Sequence, residues 1–291
     1  MGPMLSFDVE EFFQVEAAVH VMDPRSWDSM PKRLEPVVSR ILQLLDEYRS
    51  SATFFILGWV ARYERRLVRR IADMGHEIAS HGMSHRMLNR LNPAEFRQEL
   101  QDSRRLLEDI SGQVVNGFRA PTFSINHTTA WALDVLAEEG FRYDSSVFPI
   151  RHDRYGVPDA PVAPHYAVGP GGGKILEIPP LTVRIFGKNL PFGGGGYLRL
   201  FPVRAIDFAL KKALSRAQRP MLYLHPWELD ADQPVLPIRL WARWRHGVGL
   251  GRTEKKLAWL LKRYKMVSVG QVEQELAAKA ESHYCYGLPA S

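Results

Sequence analysis

An α/β protein built on parallel strands is predicted for this chain, and three features predict it. Short apolar runs alternate with segments of helical period through the first half of the sequence. Glycine or an Asn-Pro pair stands where the helices should end or begin. Polar, chemistry-bearing residues follow directly after the apolar runs, as they do on the carboxyl edge of a parallel sheet or a (β/α) barrel.

Taken in order, Met4–Phe7 is the first strand. Residues 34–48 place Leu34, Val37, Val38, Ile41, Leu42, Leu45 and Tyr48 on one helical face. Ala52–Leu57 is β-rich, and a helix from about Tyr63 should stop at Gly75. Glu77–Ser80 is the next strand. Asn92-Pro93 opens a helix that carries Phe96, Leu100, Leu107 and Ile110 to Gly112. Val114–Phe118 is a strand, 128–139 a helix closed by Gly140, and Phe141–Tyr143 a further strand. After about residue 150 the rhythm breaks into Pro/Gly-rich sequence. The string P-F-G-G-G-G-Y at 191–197 reads as a mobile glycine loop; it lacks the G-K-[ST] ending of a phosphate loop. Helix signals return at 203–216, and Met221–Leu224 is a strand. Residues 230–265 read as an insertion or appendage before a last strand, Met266–Val269, and a helix over 271–279.

A chain of 291 residues with 45% hydrophobic and 24% charged residues suits one large globular domain, here 4–285. No apolar run approaches the ~18–20 residues of a membrane span. The first residues lack the basic start of a signal peptide, so a cytoplasmic location is expected. The single cysteine, Cys285, excludes an internal disulfide framework and a cysteine zinc site. No nucleic-acid partner is expected. Net charge is +6, and Arg239–Lys265 holds nine Lys/Arg against one acid, Glu254, with Trp241, Trp244 and Trp259 interleaved. Such a segment either meets anionic lipid or a polyanionic glycan, or is a solvated basic face whose tryptophans pack inward.

Three strings carry the chemistry: S-F-D-V-E at 6–10, S-H-G-M-S-H at 80–85 and L-H-P-W at 224–227. In extended backbone Asp8 and Glu10 point the same way, Val9 packs behind and Glu11 diverges. Clustered carboxylates at a strand end repel and need a cation, unless they form a solvated acidic loop. His81 and His85, four apart, share a face on a helical turn and could reach one ion, or else be two locally bonded loop histidines. The zinc-protease motif H-E-x-x-H is excluded, because His76 and His81 are five apart. Arg119 ends a strand in R-A-P-T and either orients Asp8 or makes a surface ion pair. His225, after a late strand, is either structural or an acid catalyst; a carboxylate such as Asp144 within reach would raise its pKa. Phe123, Tyr197 and Trp227 offer faces for a pyranose ring, or serve packing.

The ordered strings S-F-D-V-E, H-G-M-S-H, R-A-P-T, Y-D-S-S and L-H-P-W resemble the five motifs of the polysaccharide deacetylases of carbohydrate esterase family four, the NodB type, over about residues 4–227. G-F-R-A-P-T-F-S-I, P-F-G-G-G-G-Y-L-R-L and Y-L-H-P-W-E look like a subgroup associated with exopolysaccharide and exosortase (PEP-CTERM) systems, whose extension would be 186–260. The resemblance implies a distorted (β/α)7 barrel that removes N-acetyl groups from an amino-sugar glycan or its lipid-linked precursor. It implies Asp8 as general base, His225 as general acid, Arg119 orienting the base and Asp144 tuning His225. It also implies one divalent transition metal on His81 and His85, zinc first, with cobalt, iron or nickel as alternatives, and an oxyanion contact from the Thr122 N–H. The family's second aspartate is Val9 here, so Glu10 is the assigned carboxylate ligand. That departure keeps a second reading open, a metal-independent, allantoinase-like cyclic amide hydrolase; the aromatic–basic segment 239–265 keeps open a third, a non-catalytic glycan- or membrane-associated scaffold. The enzyme is expected on the cytoplasmic side, with peripheral contact at an anionic inner-membrane surface.

Overall fold

The computed structural model describes residues 2–287. β1 (Met4–Val9) is buried along its whole length, the pattern of a central parallel strand. It runs between β2 (Thr53–Ile56) and β10 (Met221–Leu224), both parallel to it. Beyond β2 come β3 (Glu77–Ser80), β4 (Gly117–Phe118), β5 (Tyr143–Asp144) and β7 (Lys174–Glu177), which completes seven parallel strands in the order β10-β1-β2-β3-β4-β5-β7. β6 (His165–Val168) turns antiparallel against β7, and β11 (His283–Cys285) lies parallel on β6. β8 (Thr182–Ile185) and β9 (Lys188–Pro191) form a separate hairpin. An α/β fold on parallel strands is therefore what the alternating pattern produces.

Strand alternation divides the interior in two. Leu5, Phe7, Val9, Phe54 and Ile56 join the large core that includes the residues of the surrounding helices. Met4, Phe55, Ala79, Tyr143, Leu176 and Met221 form a second cluster with Val269 and Leu276 of the C-terminal segment. By the same alternation Ser6 and Asp8 share the face of Met4. No ladder joins β7 to β10. The gap is bridged by single backbone bonds: Leu181 N–H to Met221 O at 2.9 Å, Gly193 N–H to Leu181 O at 2.9 Å, and Tyr223 N–H to Gly193 O at 2.7 Å.

That last contact corrects the glycine-loop expectation. Residues 193–195 are packed. A Cβ on Gly194 would meet Tyr223 Oη at 2.6 Å, and one on Gly195 would sit 1.7 Å from Glu228 Oε2. Glycine is needed there for close approach. The helix expected from Tyr63 instead begins at Gly58 and breaks at Glu64, giving Gly58–Tyr63 and Arg65–Asp73; Gly75 follows with φ +80°. The helix Pro93–Ser111 matches its signals. The Asn92 side chain accepts from Glu95 N at 3.0 Å and the Glu95 carboxylate accepts from Asn92 N at 2.9 Å, a reciprocal cap worth ~1 kcal/mol.

Residues 230–265 are not an appendage. The helix Leu250–Leu261 buries Leu257, Leu260 and Leu261 in the main core. Lys256 Nζ donates to the carbonyls of Leu198, Arg199 and Phe201 at 2.8–2.9 Å, closing the end of the helix Gly195–Leu200. Met266–Val269 makes one bridge, Met4 to Val267, rather than a strand. The inward-packing expectation fails for Trp241 and Trp244, both exposed, and holds in part for Trp259, which packs on the core.

Candidate functional site

Asp8, His81, Arg119 and His225 all stand at or just beyond the carboxyl ends of parallel strands, and Asp8, His81 and His225 line one cleft of about 260 Å³. Arg119 is wholly buried behind Asp8. Its Nη1 donates to Asp8 Oδ1 at 2.6 Å and to Ser6 Oγ at 2.9 Å; Nε and Nη2 donate to Ser145 O at 3.0 Å and Ser145 Oγ at 2.8 Å. The guanidinium lies 4.1 Å from the centre of the Phe55 ring. A planar fork so fully engaged holds Asp8 in one orientation, with Oδ2 left toward the cleft. The surface ion pair is excluded.

Glu10 lies one residue past β1 and turns back on it through Glu10 N–H to Asp8 O at 3.1 Å. Val9 packs into the core behind it. Glu11 diverges to the far side, where Oε1 accepts from Arg33 N at 2.8 Å and Leu34 N at 3.3 Å and so caps the helix Leu34–Glu47; burial pushes its carboxyl up to about 7. Glu10 Oε2 touches His85 Nε2 and stands 3.9 Å from His81 Nε2. The three ligand atoms of Glu10, His81 and His85 lie within 4.8 Å of one another, all buried.

His81 Nδ1 lies 2.8 Å from the carbonyl of Arg119, so Nδ1 carries the proton and Nε2 offers its lone pair inward. Burial pulls its pKa down to about 4, which keeps the ring neutral and ready to ligate. The segment from His81 to His85 is not a helical turn: Gly82 has φ +76° and His85 φ +57°. The two rings meet, with centroids 5.4 Å apart, because the loop folds back. Burial opposes the charge on Glu10, but His85, then His225 and His81, hold its carboxyl well below the usual range. Glu10 Oε2 otherwise has no hydrogen-bond donor. A carboxylate with an uncommitted oxygen beside the Nε2 atoms of two imidazoles is a donor set that fits a zinc-type divalent ion.

His225 differs from expectation in its partner. Asp144 is buried outside the cleft lining, where it accepts from Ser146 Oγ and faces Glu177. His225 instead takes Glu228, three residues on: Oε2 accepts from His225 N at 2.9 Å and from Nδ1 at 3.3 Å. Glu228 Oε1 accepts from Arg199 Nε at 2.9 Å, and Arg199 Nη1 donates to the carbonyls of Arg245, His246 and Val248 at 2.9–3.0 Å. Burial opposes ionisation of Glu228, but Arg199 and His225 hold it below the ordinary range. The Nε2 of His225 looks into the cleft, 3.9 Å from Asp8 Oδ2 and 3.7 Å from Glu10 Oε1. Burial would lower its pKa; the carboxylates of Glu10, Glu228 and Asp8 raise it to about 9. The imidazole is thus an acid with a proton to give at neutral pH.

The three aromatics divide. Trp227 stacks with His225 at 5.1 Å and with His246 at 4.4 Å, and its Nε1–H donates to Glu10 Oε1 at 3.3 Å. It orients the Glu10 carboxylate, and its ring is engaged by the two histidines. Phe123 is buried against Phe148, Tyr155 and Tyr223. Tyr197 is half-buried on the cleft wall beside Tyr155. Thr122 edges the cleft in left-handed backbone, φ +57° and ψ 26°, a strained geometry for a β-branched residue. Sequence reasoning missed Glu228 and Arg199. H-P-W-E places a glutamate at the N3 position after His225, the spacing of a capping box, and that signal would have found Glu228.

Residues 25–143 match the family described as polysaccharide deacetylase, and residues 145–274 match one described as a domain of unknown function, DUF3473. Asp8 and Glu10 precede the first match, and His225 falls in the second. A chitooligosaccharide deacetylase of Bradyrhizobium sp. is 33% identical over 97 residues, covering 33% of this chain and 42% of that protein. A peptidoglycan deacetylase of Helicobacter pylori is 29% identical over 110 residues, 38% of this chain and 36% of that protein. The chain therefore spans less than half the length of these relatives. A crystal structure described as a polysaccharide deacetylase from Mycobacterium smegmatis superposes over 100% of this chain and 96% of its own with a TM-score of 0.65 at 20% identity, a likeness of fold.

Proposed function

We propose that this chain, whose residues 25–143 belong to the polysaccharide deacetylase family, hydrolyses N-acetyl groups on amino sugars of an exopolysaccharide or of its lipid-linked precursor. The observation that carries the reading is the facing pair Asp8 and His225, 3.9 Å apart, set beside the Glu10–His81–His85 cluster. Those three residues would hold one divalent transition ion, zinc first, which when bound supplies Lewis acidity to the acetyl carbonyl. Asp8 Oδ2, the oxygen Arg119 leaves free, takes the proton of the attacking water. The Thr122 N–H, at the cleft edge, is assigned to the developing oxyanion. His225 gives its Nε2 proton to the leaving amine while Glu228 holds Nδ1, so acetate and a free amino sugar leave. Tyr197 and Tyr155 supply aromatic wall against the sugar.

The test is acetate release from acetylated amino-sugar oligosaccharides, run beside elemental analysis. Asp8→Asn is expected to abolish turnover and keep the metal. His85→Ala is expected to lose the metal and the activity together. Near-normal acetate release by Asp8→Asn would remove the assigned base. No metal in wild type after supply of zinc or cobalt would remove the ion from the reading.

A further inference from the structure

We propose that the outer face of the helix Leu240–Gly247 docks on an anionic lipid bilayer. The helix buries none of its residues. Leu240 is 74% exposed, Trp241 68% and Trp244 48%. Exposed apolar side chains of this size, adjacent on one helix, mark an interaction surface rather than an ordinary one. At the helical repeat Leu240, Trp244 and Trp241 fall on one arc, with Arg243 on one side and Arg245 on the other. Arg239, exposed, precedes the first turn. The opposite arc holds Ala242 and His246, which line the cleft together with the bordering Arg245.

The chemistry of this face fits a headgroup layer. Indole rings settle at the level where apolar and polar groups meet, and arginines lay their stems along apolar surface while their guanidiniums reach phosphate. A short amphipathic element with Trp and Leu on one face and arginines at its borders lies in the interface plane. The local field favours anionic lipid, because the one acid of the stretch, Glu254, is taken by Arg40. A glycan is the weaker occupant. Trp241 and Trp244 stack on each other at 4.8 Å and 14°, so each spends one face on its neighbour, and Leu240 offers a sugar nothing. Because the same helix lines the cleft, docking by this face would hold the cleft mouth beside the bilayer. That consequence rests on the deacetylase reading; the docking itself does not.

The test is sedimentation of the full chain with phosphatidylcholine vesicles, with and without phosphatidylglycerol. Binding is expected only to the phosphatidylglycerol vesicles, falling with added salt, with a blue shift of tryptophan emission. Trp241→Ala/Trp244→Ala and, separately, Arg239→Gln/Arg243→Gln should each weaken binding by ~10-fold or more, from lost indole burial and from about a kcal/mol per arginine at such a surface. Acetate release from a soluble oligosaccharide should stay at the wild-type rate in both, which also reports that they fold. No binding to phosphatidylglycerol vesicles, or binding that both variants retain, overturns the proposal. So does loss of polysaccharide binding in the tryptophan variant with no vesicle binding in wild type, which would assign the face to glycan.

Discussion

Replacing Glu228 by glutamine removes one charge from a buried line of three groups. In the native site Oε1 faces Arg199 and Oε2 faces His225, and neither oxygen is exchangeable for an N–H₂ without setting donor against donor. Breaking a buried ion pair by removing one partner costs ~3–5 kcal/mol. Arg199 keeps the carbonyls of Arg245, His246 and Val248, and glutamine keeps one acceptor, so the expected loss is ~2–3 kcal/mol. Urea unfolding measures it. The same change removes one of the three carboxylates that hold His225 up at about 9. His225 must be protonated to act as an acid, so activity is lost as pH rises through its pKa. A lower pKa moves that alkaline limb to lower pH. A general acid is worth ~10²–10⁴ in rate, and one held less firmly should lose ~10–100-fold at pH 8. Acetate release against pH is the assay. An alkaline limb left in place, with a near-normal rate, would refute the argument: Glu228 would then be a packing residue, and Asp8 and Glu10 alone would set His225.

Three further changes follow the same logic. Asp144 and Glu177 are both buried and face each other; burial pushes Asp144 up to about 6 and Glu177 well above its ordinary range. Acids whose folded pKa is raised lose stability as pH climbs above the unfolded value, so Glu177→Gln, which keeps the acceptor for Val147 N–H and donates to Asp144, should flatten the fall in stability above pH ~5 and add ~1–3 kcal/mol at pH 8. A denaturation series across pH with an unchanged slope would contradict a raised Glu177 carboxyl. Gly195→Ala must push Glu228 aside, since its Cβ would lie 1.7 Å from Oε2; it should reproduce the alkaline shift of Glu228→Gln and cost ~1–3 kcal/mol. Trp227→Phe removes the donor to Glu10 Oε1 and should weaken zinc binding ~10–100-fold in a competition titration, with the fold intact by circular dichroism.

The parallel-strand half of the fold was legible because its signals are local. β3 and β10 fall on Glu77–Ser80 and Met221–Leu224 as read, and the Asn92–Gly112 helix carries both of its end signals. β6 to β9 and β11 were not legible. They are three or four residues long, too short for a clear period; β6–β7 and β8–β9 close as short hairpins, while β7 joins the sheet through β5 and β11 through β6, partners far back along the chain. The site shows the same division. Asp8 and Glu10 converge because alternation in extended backbone is a local rule. The meeting of His81 and His85 rests on left-handed residues at 82 and 85, and a helical turn was the wrong reason for their proximity. Asp144 follows a strand like the other site residues, but its β5 neighbour is β7, so Glu177 meets it before His225 can. Trp227 was read from its chemistry alone, and stacking between two histidines is invisible without coordinates.

The place of β1 in the sheet bears on how the protein is made. Its flank on one side is β2, but on the other it is β10, with Met4 aligned to Met221. A ribosome adding ~5–20 residues per second would leave that edge of β1 unpaired for roughly 10–40 s. Throughout that interval Asp8 and Glu10 are already in the nascent chain, while His225 has not been synthesised. The two segments recognised as separate families, divided near residue 144, are therefore not two autonomous folding units. A chain cut there would leave β1 with a bare, apolar edge open to pairing with other chains. Truncated transcripts or stalled synthesis should yield aggregates rather than half-enzymes, and a holdase covering the first strand would be of most use before Leu224 emerges.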